Sequence, residues 1–142
     1  MKTVTRLDGC NCFAARQAAR HLTKLYERYL SGAGLTSAQF SILVAVDEAE
    51  EMTMAELVNA LRMDRTTLLR ALKPLQREEL LRSRPSADDA RQLVYALSVV
   101  GVRRLKQAMP LWAKAQSELE ADVGAGVAAR IRRDLLALAK PA

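Results

Sequence analysis

The chain has 142 residues, about one domain's worth, and half of them are hydrophobic, enough for a real core. With 27% charged residues it is not disordered by composition, and aromatics at 4% beside abundant Ala and Leu favour helices over sheets. The net charge of +6 permits a polyanionic partner, while the absence of any apolar run near the ~18 residues of a membrane span argues against a membrane role.

The N-terminus, MKTVTRLDGCNCF, lacks an apolar signal-peptide core, so a cytoplasmic location is the expectation. Leu7 to Leu30 then reads as one long helix. Leu7, Ala14, Ala18, Leu22, Leu25 and Tyr29 recur at spacings of three, four and seven, and Arg16, Arg20, Lys24 and Arg28 form a basic row at fours. Ser31 to Gly34 (SGAG) ends it where a left-handed turn is cheap. Thr36-Ser-Ala-Gln39 and Thr53-Met-Ala-Glu56 both fit the capping box. The first opens a helix carrying Phe40, Leu43 and Val44, and the second a short one carrying Leu57, Val58 and Leu61. Asp47 to Glu51 reads as an acidic connector between them.

Arg62, Met63 and Asp64 form a short turn. After it Leu68, Leu69, Leu72, Leu75 and Leu80 keep helical spacing across Pro74, which predicts one bent helix. Two helices joined by about three residues form a helix-turn-helix candidate. A β-hairpin follows, Leu81 to Arg84 against about Gln92 to Leu97. Leu93, Tyr95 and Leu97 alternate as strand residues do, and Arg91 lies near the tip. Ser98 is placed to cap a long helix carrying Val102, Leu105, Met109, Trp112, Gln116 and Leu119, with a second bend expected at Pro110. VGAG breaks the chain at Val123 to Gly126, and Val127 to Ala139 forms a last helix with Ile131, Leu135 and Leu138.

A helix-turn-helix followed at once by a hairpin is a winged helix-turn-helix. Its second helix suits a major groove, and an arginine at the hairpin tip suits a narrow minor groove, where negative potential is concentrated. From Arg62 to Arg91 there are eight basic and five acidic residues, a modest excess, so a shared face matters more than the total. At this point the sequence resembles the MarR family of bacterial transcription regulators. The resemblance rests on Gly34 to Val46 (GLTSAQFSILVAV), Thr53 to Arg84, and Asp89 to Gly101. The family's wing pattern, Asp-x-Arg and then a strand ending Leu-Thr-x-x-Gly, appears as Asp89, Arg91, Leu97, Ser98 and Gly101, with Ser in place of Thr.

The resemblance implies a homodimer with interlocking terminal helices and one winged unit per subunit on palindromic double-stranded DNA. The fold expected is mainly α: about six helices plus a β-hairpin wing, in a single domain over 1–142. Residues of about 7–33 and 98–142 would serve dimerisation, and about 36–97 the winged unit. Leu105, Met109 and Trp112, with Ile131, Leu135 and Leu138, offer the apolar surface for the dimer. DNA contacts are assigned to Arg65, Thr66, Thr67, Arg70, Lys73 and Arg91, with Asp89 bracing Arg91.

A repressor released by a small aromatic or phenolic effector is the functional expectation, and Tyr26, Tyr29, Met109 and Trp112 are candidates for lining the effector pocket. Core or interface packing is the competing account of those four. Cys10 and Cys12 suit either interface packing or a thiol-based redox switch like that of the hydroperoxide-sensing branch of the family, and the basic row from Arg16 favours a reactive thiolate. Two residues apart on a helix they would point roughly 200° from each other, against a disulfide. Another alternative is a helical protein-interaction module without DNA binding. No cofactor or metal is expected, since two thiols and one histidine make no structural zinc site. No GxSxG motif or phosphate loop is present and no nucleophile has a spaced base, so no enzyme is expected.

Overall fold

The computed structural model describes residues 1–139. The last three residues of the expected C-terminal dimerisation segment lie outside the described residues. In chain order a 3-10 turn (Thr5–Gly9) leads to α1 (Asn11–Leu30), a second 3-10 turn (Ser31–Ala33), α2 (Ser37–Ala49), β1 (Met52–Thr53), α3 (Met54–Leu61) and α4 (Arg65–Arg77). Then come β2 (Leu81–Pro85), β3 (Leu93–Leu97), α5 (Val99–Val123) and α6 (Ala125–Leu138). This is the expected mainly helical, winged arrangement. No single helix among the described residues is long and apolar enough to cross a membrane.

Caps set the helix starts. Thr36 Oγ1 accepts from Gln39 N–H (3.2 Å) and Gln39 Oε1 from Thr36 N–H (3.0 Å). Thr53 and Glu56 form the same reciprocal pair at 3.2 and 2.8 Å. Ser98 Oγ accepts from Gly101 N–H at 2.9 Å. Two helix ends are closed by Schellman pairs. Leu35 N–H donates to Leu30 O and Gly34 N–H to Ser31 O, with Gly34 left-handed at φ 69°. Leu80 N–H donates to Leu75 O (2.8 Å) and Glu79 N–H to Gln76 O (3.0 Å), so Glu79 takes φ 60° where glycine is usual.

Four boundaries differ from the sequence expectation. Cys10 is extended (φ −94°, ψ 112°), so the expected helix from Leu7 begins at Asn11, and Leu7 belongs to the preceding 3-10 turn. α2 runs to Ala49, taking in part of the acidic connector, until Glu50 turns left-handed at φ 67°. α4 passes through Pro74 but stops at Arg77, short of Leu80, because the Schellman turn reverses the chain. α6 begins two residues early, at Ala125.

The wing carries a third strand that periodicity did not reveal. β3 lies between β1 and β2, antiparallel to both, with Met52 opposite Tyr95 and Leu81 opposite Leu97. The expected alternation of Leu93, Tyr95 and Leu97 is therefore only partly kept. Tyr95 faces the core, Val94 is also buried, and Leu93 is exposed. Val94 lies under the outer face of the sheet, where Glu51 and Arg84 pair above it.

One leucine-rich core joins α2, α3, α4, the sheet and the start of α5. Leu68, Leu72 and Leu75 turn the inner face of α4 into it, all essentially inaccessible. Truncating any one to alanine costs about 2–5 kcal/mol, so the outer face of α4 is held on a fixed support. Leu105 also belongs to this core, which corrects its assignment to the dimer surface. Apolar surface is left open on α6, where Val127, Ile131, Leu135, Leu136 and Leu138 are all exposed, and at Met109 on α5.

Candidate nucleic-acid interface

With Leu68, Leu72 and Leu75 inward, helical geometry puts Thr66, Arg70, Lys73 and Arg77 in one outward stripe, at i, i+4, i+7 and i+11. All four are exposed. Arg65 and Leu69 lie on the flank that faces the wing. Across an open cleft of about 350 Å³ stand Arg91, Gln92 and Leu93, with Thr53 and the start of α3 closing one end. Two cations thus face each other across a gap between a helix and a hairpin tip. A duplex offers its phosphodiester strand between a major groove and the neighbouring minor groove, which matches the order helix, cleft, tip.

Thr66 and Thr67 are neighbours with different surroundings. Thr67 N–H donates to Asp64 Oδ1 (2.9 Å) and its hydroxyl donates to Asp64 Oδ2 (2.6 Å). The single hydroxyl proton of Thr67 is therefore engaged within the helix cap, while Thr66 has no such tie. The Thr67 hydroxyl, with the backbone amides of Thr67, Asp64 and Thr66, holds the Asp64 carboxyl below the usual carboxylate range. Asp64 as the N-cap of α4 is a residue the sequence reading passed over as turn. An Asp four residues before the first periodic leucine, Leu68, with Thr three residues on, was the available signal.

At the wing tip Arg91 is 94% exposed, and its Nε lies 3.5 Å from Asp89 Oδ1. The same oxygen accepts from Arg91 N–H at 3.0 Å. Ser86 N–H donates to Gln92 O (2.7 Å), Gln92 N–H to Asp89 O (3.0 Å) and Asp88 N–H to Ser86 Oγ (3.2 Å). The tip backbone is thus cross-tied by bonds that do not use the Arg91 guanidinium. Arg84 pairs with Glu51 and fastens the outer strand to the chain before β1. That pair, 33 residues apart in sequence, left no periodic signal.

The structure does not gather Tyr26, Tyr29, Met109 and Trp112 around one space. Trp112 stacks on Phe40, with ring centroids 6.3 Å apart. Tyr26 donates its hydroxyl to Gln116 and Tyr29 to Glu118, so both ring hydroxyls serve the α1–α5 contact. Burial raises the Tyr26 pKa. Met109 lies on a different cleft, beside Val44, Asp47, Glu48 and Lys106. His21 lies at an apolar cleft of about 190 Å³ between α1, α5 and α6.

Cys10 and Cys12 are both free. Cys10 is the N-cap of α1, its Sγ accepting from Phe13 N–H at 3.4 Å, and Cys12 is exposed in the first turn. The helical argument that separated them by roughly 200° does not apply, because Cys10 precedes the helix. No three His, Cys, Asp or Glu side chains among the described residues converge as a metal-binding group.

Comparison with known proteins agrees with this geometry. A family model described as MarR family matches residues 33–92. The chain is 39% identical to the M. tuberculosis transcriptional regulator MosR, whose crystal structure is of a complex with DNA. That match covers 92% of this chain and 93% of MosR, with a TM-score of 0.82. It is 26% identical over 106 residues to the organic hydroperoxide resistance transcriptional regulator of Bacillus subtilis (strain 168), covering 75% of this chain and 72% of that protein. It is 29% identical over 95 residues to the HTH-type transcriptional repressor NicR of Pseudomonas putida, covering 67% of this chain and 60% of NicR.

Proposed function

The chain belongs to the MarR family, and from that premise we propose that it is a homodimeric, sequence-specific repressor that binds a palindromic DNA operator. The observation that carries this reading is the pairing of an exposed Thr66, Arg70, Lys73 and Arg77 stripe with a cross-tied wing tip presenting Arg91. In the bound state Thr66 and Arg70 meet base edges or phosphates in the major groove, while Lys73 and Arg77 meet phosphates. Arg65 lies against the strand between the grooves, and Arg91 enters the minor groove braced by Asp89. Thr67 acts through the cap, holding Asp64 and with it the start of α4.

The chain acts as one domain over residues 1–142, in the cytoplasm, with no catalytic step of its own. α6, whose apolar residues are left exposed, supplies the dimer contact together with α1. Two recognition helices must then sit one helical turn apart, about 34 Å. A small aromatic or phenolic effector that binds better to another spacing draws the population away from the DNA-competent form. Trp112, stacked on Phe40, and Met109, on the cleft beside α2, mark two places where such a molecule could separate α5 from the winged unit.

Selection of binding sites from random duplexes tests the proposal. A two-fold symmetric consensus is expected, and recovery of no sequence above background refutes it.

A second reading, regulation by thiol oxidation, is favoured by one observation. Cys10 lies outside the helix with its Sγ at the α1 N-terminus and Cys12 exposed two residues on. A hydroperoxide would convert one thiolate to the sulfenic acid and leave as the alcohol, and the other thiol would then displace water to close a disulfide. Operator affinity before and after mild peroxide, in wild type, Cys10→Ser and Cys12→Ser, decides between the readings. A large thiol-reversible loss that either substitution abolishes establishes the redox reading.

A further inference from the structure

We propose that Arg62 is a positioning residue that ties the recognition helix to α6 of its own subunit, so that docking of a partner on α6 fixes how α4 is presented. The inference rests on the DNA-binding reading above. Arg62 ends α3 in the left-handed conformation (φ 52°, ψ 38°), two residues before Asp64, the N-cap of α4. Its side chain reaches 74 residues along the chain. Nη1 donates to Leu136 O at 2.8 Å and to Ala139 O.

Those acceptors have a physical need for a donor. The final carbonyls of a helix lack in-helix partners and carry the negative end of the helix dipole. Ala139 N–H closes on Leu135 O (3.0 Å), and the carbonyls of Leu136 and Ala139 accept from the guanidinium. Hydrogen bonds from a charged donor are roughly twice as strong as neutral ones. The backbone contacts of α6 are otherwise chiefly with α5. Arg62 is therefore a direct fastening of α6 to the winged unit at the turn that sets the direction of α4. The same helix leaves Ile131, Leu135 and Leu138 exposed, the first two beside the cleft toward α1 and α5, and the proposed dimer contact uses this apolar stripe. Both ends of a mechanical link are thus on one 14-residue helix.

An exposed arginine in this turn has one competing role, a direct phosphate contact. The two roles separate by salt dependence. A lost phosphate contact lowers the slope of log affinity against log salt by about 0.9 per half-site. A lost positioning contact lowers affinity and leaves the slope alone.

The test uses the full chain with Cys10→Ser, Cys12→Ser and Gln76→Cys, spin-labelled at position 76 to report the distance between the two recognition helices of the dimer. Arg62→Asn removes the cation and suits the left-handed backbone, and Arg62→Lys restores a donor. Arg62→Asn is expected to broaden the distance distribution and weaken operator binding on the order of tenfold, with an unchanged salt slope. Arg62→Lys is expected to recover much of both. An unchanged distribution overturns the proposal, whether affinity is unchanged or falls together with the slope. A chain that binds no DNA sequence at all would refute the functional reading, and the distance distribution would still decide the link.

Discussion

Replacing Arg91 by alanine removes a side chain that is 94% exposed and whose one ion pair, to Asp89, is long at 3.5 Å. Exposed pairs of this kind contribute about 0–1 kcal/mol, and no cavity forms, so thermal unfolding should change little. The backbone ties of the tip do not involve the Arg91 side chain, so the hairpin should keep its shape. The effect on DNA is of another size. A good contact contributes about 1–3 kcal/mol, so two copies in a dimer give about 2–6 kcal/mol, or from roughly 30-fold to above 10⁴-fold in affinity. Two lost neutralisations of phosphate charge should also make the salt slope shallower by about 1.8. Fluorescence anisotropy titrations of a selected operator at two salt concentrations read both quantities, with thermal unfolding as control. Unchanged affinity together with an unchanged slope would mean that the wing does not touch DNA.

Gly101→Ala should be severely destabilising, because the new Cβ would lie 2.1 Å from Leu80 O, a backbone atom that also accepts from Ser98 N–H. Overpacking of about 1–3 kcal/mol plus one or two hydrogen bonds near 1 kcal/mol each gives about 2–5 kcal/mol, and a urea midpoint close to wild type would contradict the close approach. Asp64 is held below its ordinary carboxyl value, so the stability it contributes is present above the unfolded value of 3.8 and is lost as pH falls through the lower folded value. Urea midpoints measured against pH should therefore fall less steeply on the acid side for Asp64→Asn than for wild type, and parallel curves would count against the cap. Sedimentation in dilute solution should give a dimer mass, and a concentration-independent monomer would remove the role assigned to α6.

Much of this fold was legible because its signals are local. Capping boxes at Thr36 and Thr53 name both partners within four residues, and the cap at Ser98 sits directly before its helix. The leucines of α4 and the order helix, turn, helix, hairpin are also contiguous in the chain. What was misread depends on distant partners. β1 is two residues long and exists because Met52 and Thr53 pair with Tyr95 and Val94. Leu105 follows the apolar spacing of α5 expected at the dimer surface, yet it is buried in the core shared with α2 and the sheet. The partners of the aromatic side chains near α5 are also distant in sequence: Trp112 stacks on Phe40, and Tyr26 donates to Gln116. Glu51–Arg84 and Arg62–Leu136 O join residues 33 and 74 positions apart, where no spacing rule reaches.

The wing shows why a group of DNA contacts can be foreseen while the device that presents them cannot. A free arginine on a free loop would lose backbone as well as side-chain entropy on entering a minor groove, about 1–2 kcal/mol for each residue it ordered. Here the backbone is fixed in advance at three places: pairing of β3 with β1, the Glu51–Arg84 ion pair on the outer face, and the Ser86–Gln92 and Asp89 bonds across the tip. Only the side chain remains to be ordered. Severing one tie away from the DNA tests that account, and Glu51→Gln is the least disruptive choice because it preserves the shape above Val94. It should weaken operator binding without changing the salt slope, since no phosphate contact is lost, and hydrogen exchange should rise at the tip amides of Arg91 and Gln92. An unaltered exchange rate would mean that the Glu51–Arg84 pair does not hold the tip, and the argument from a prefixed backbone would fail.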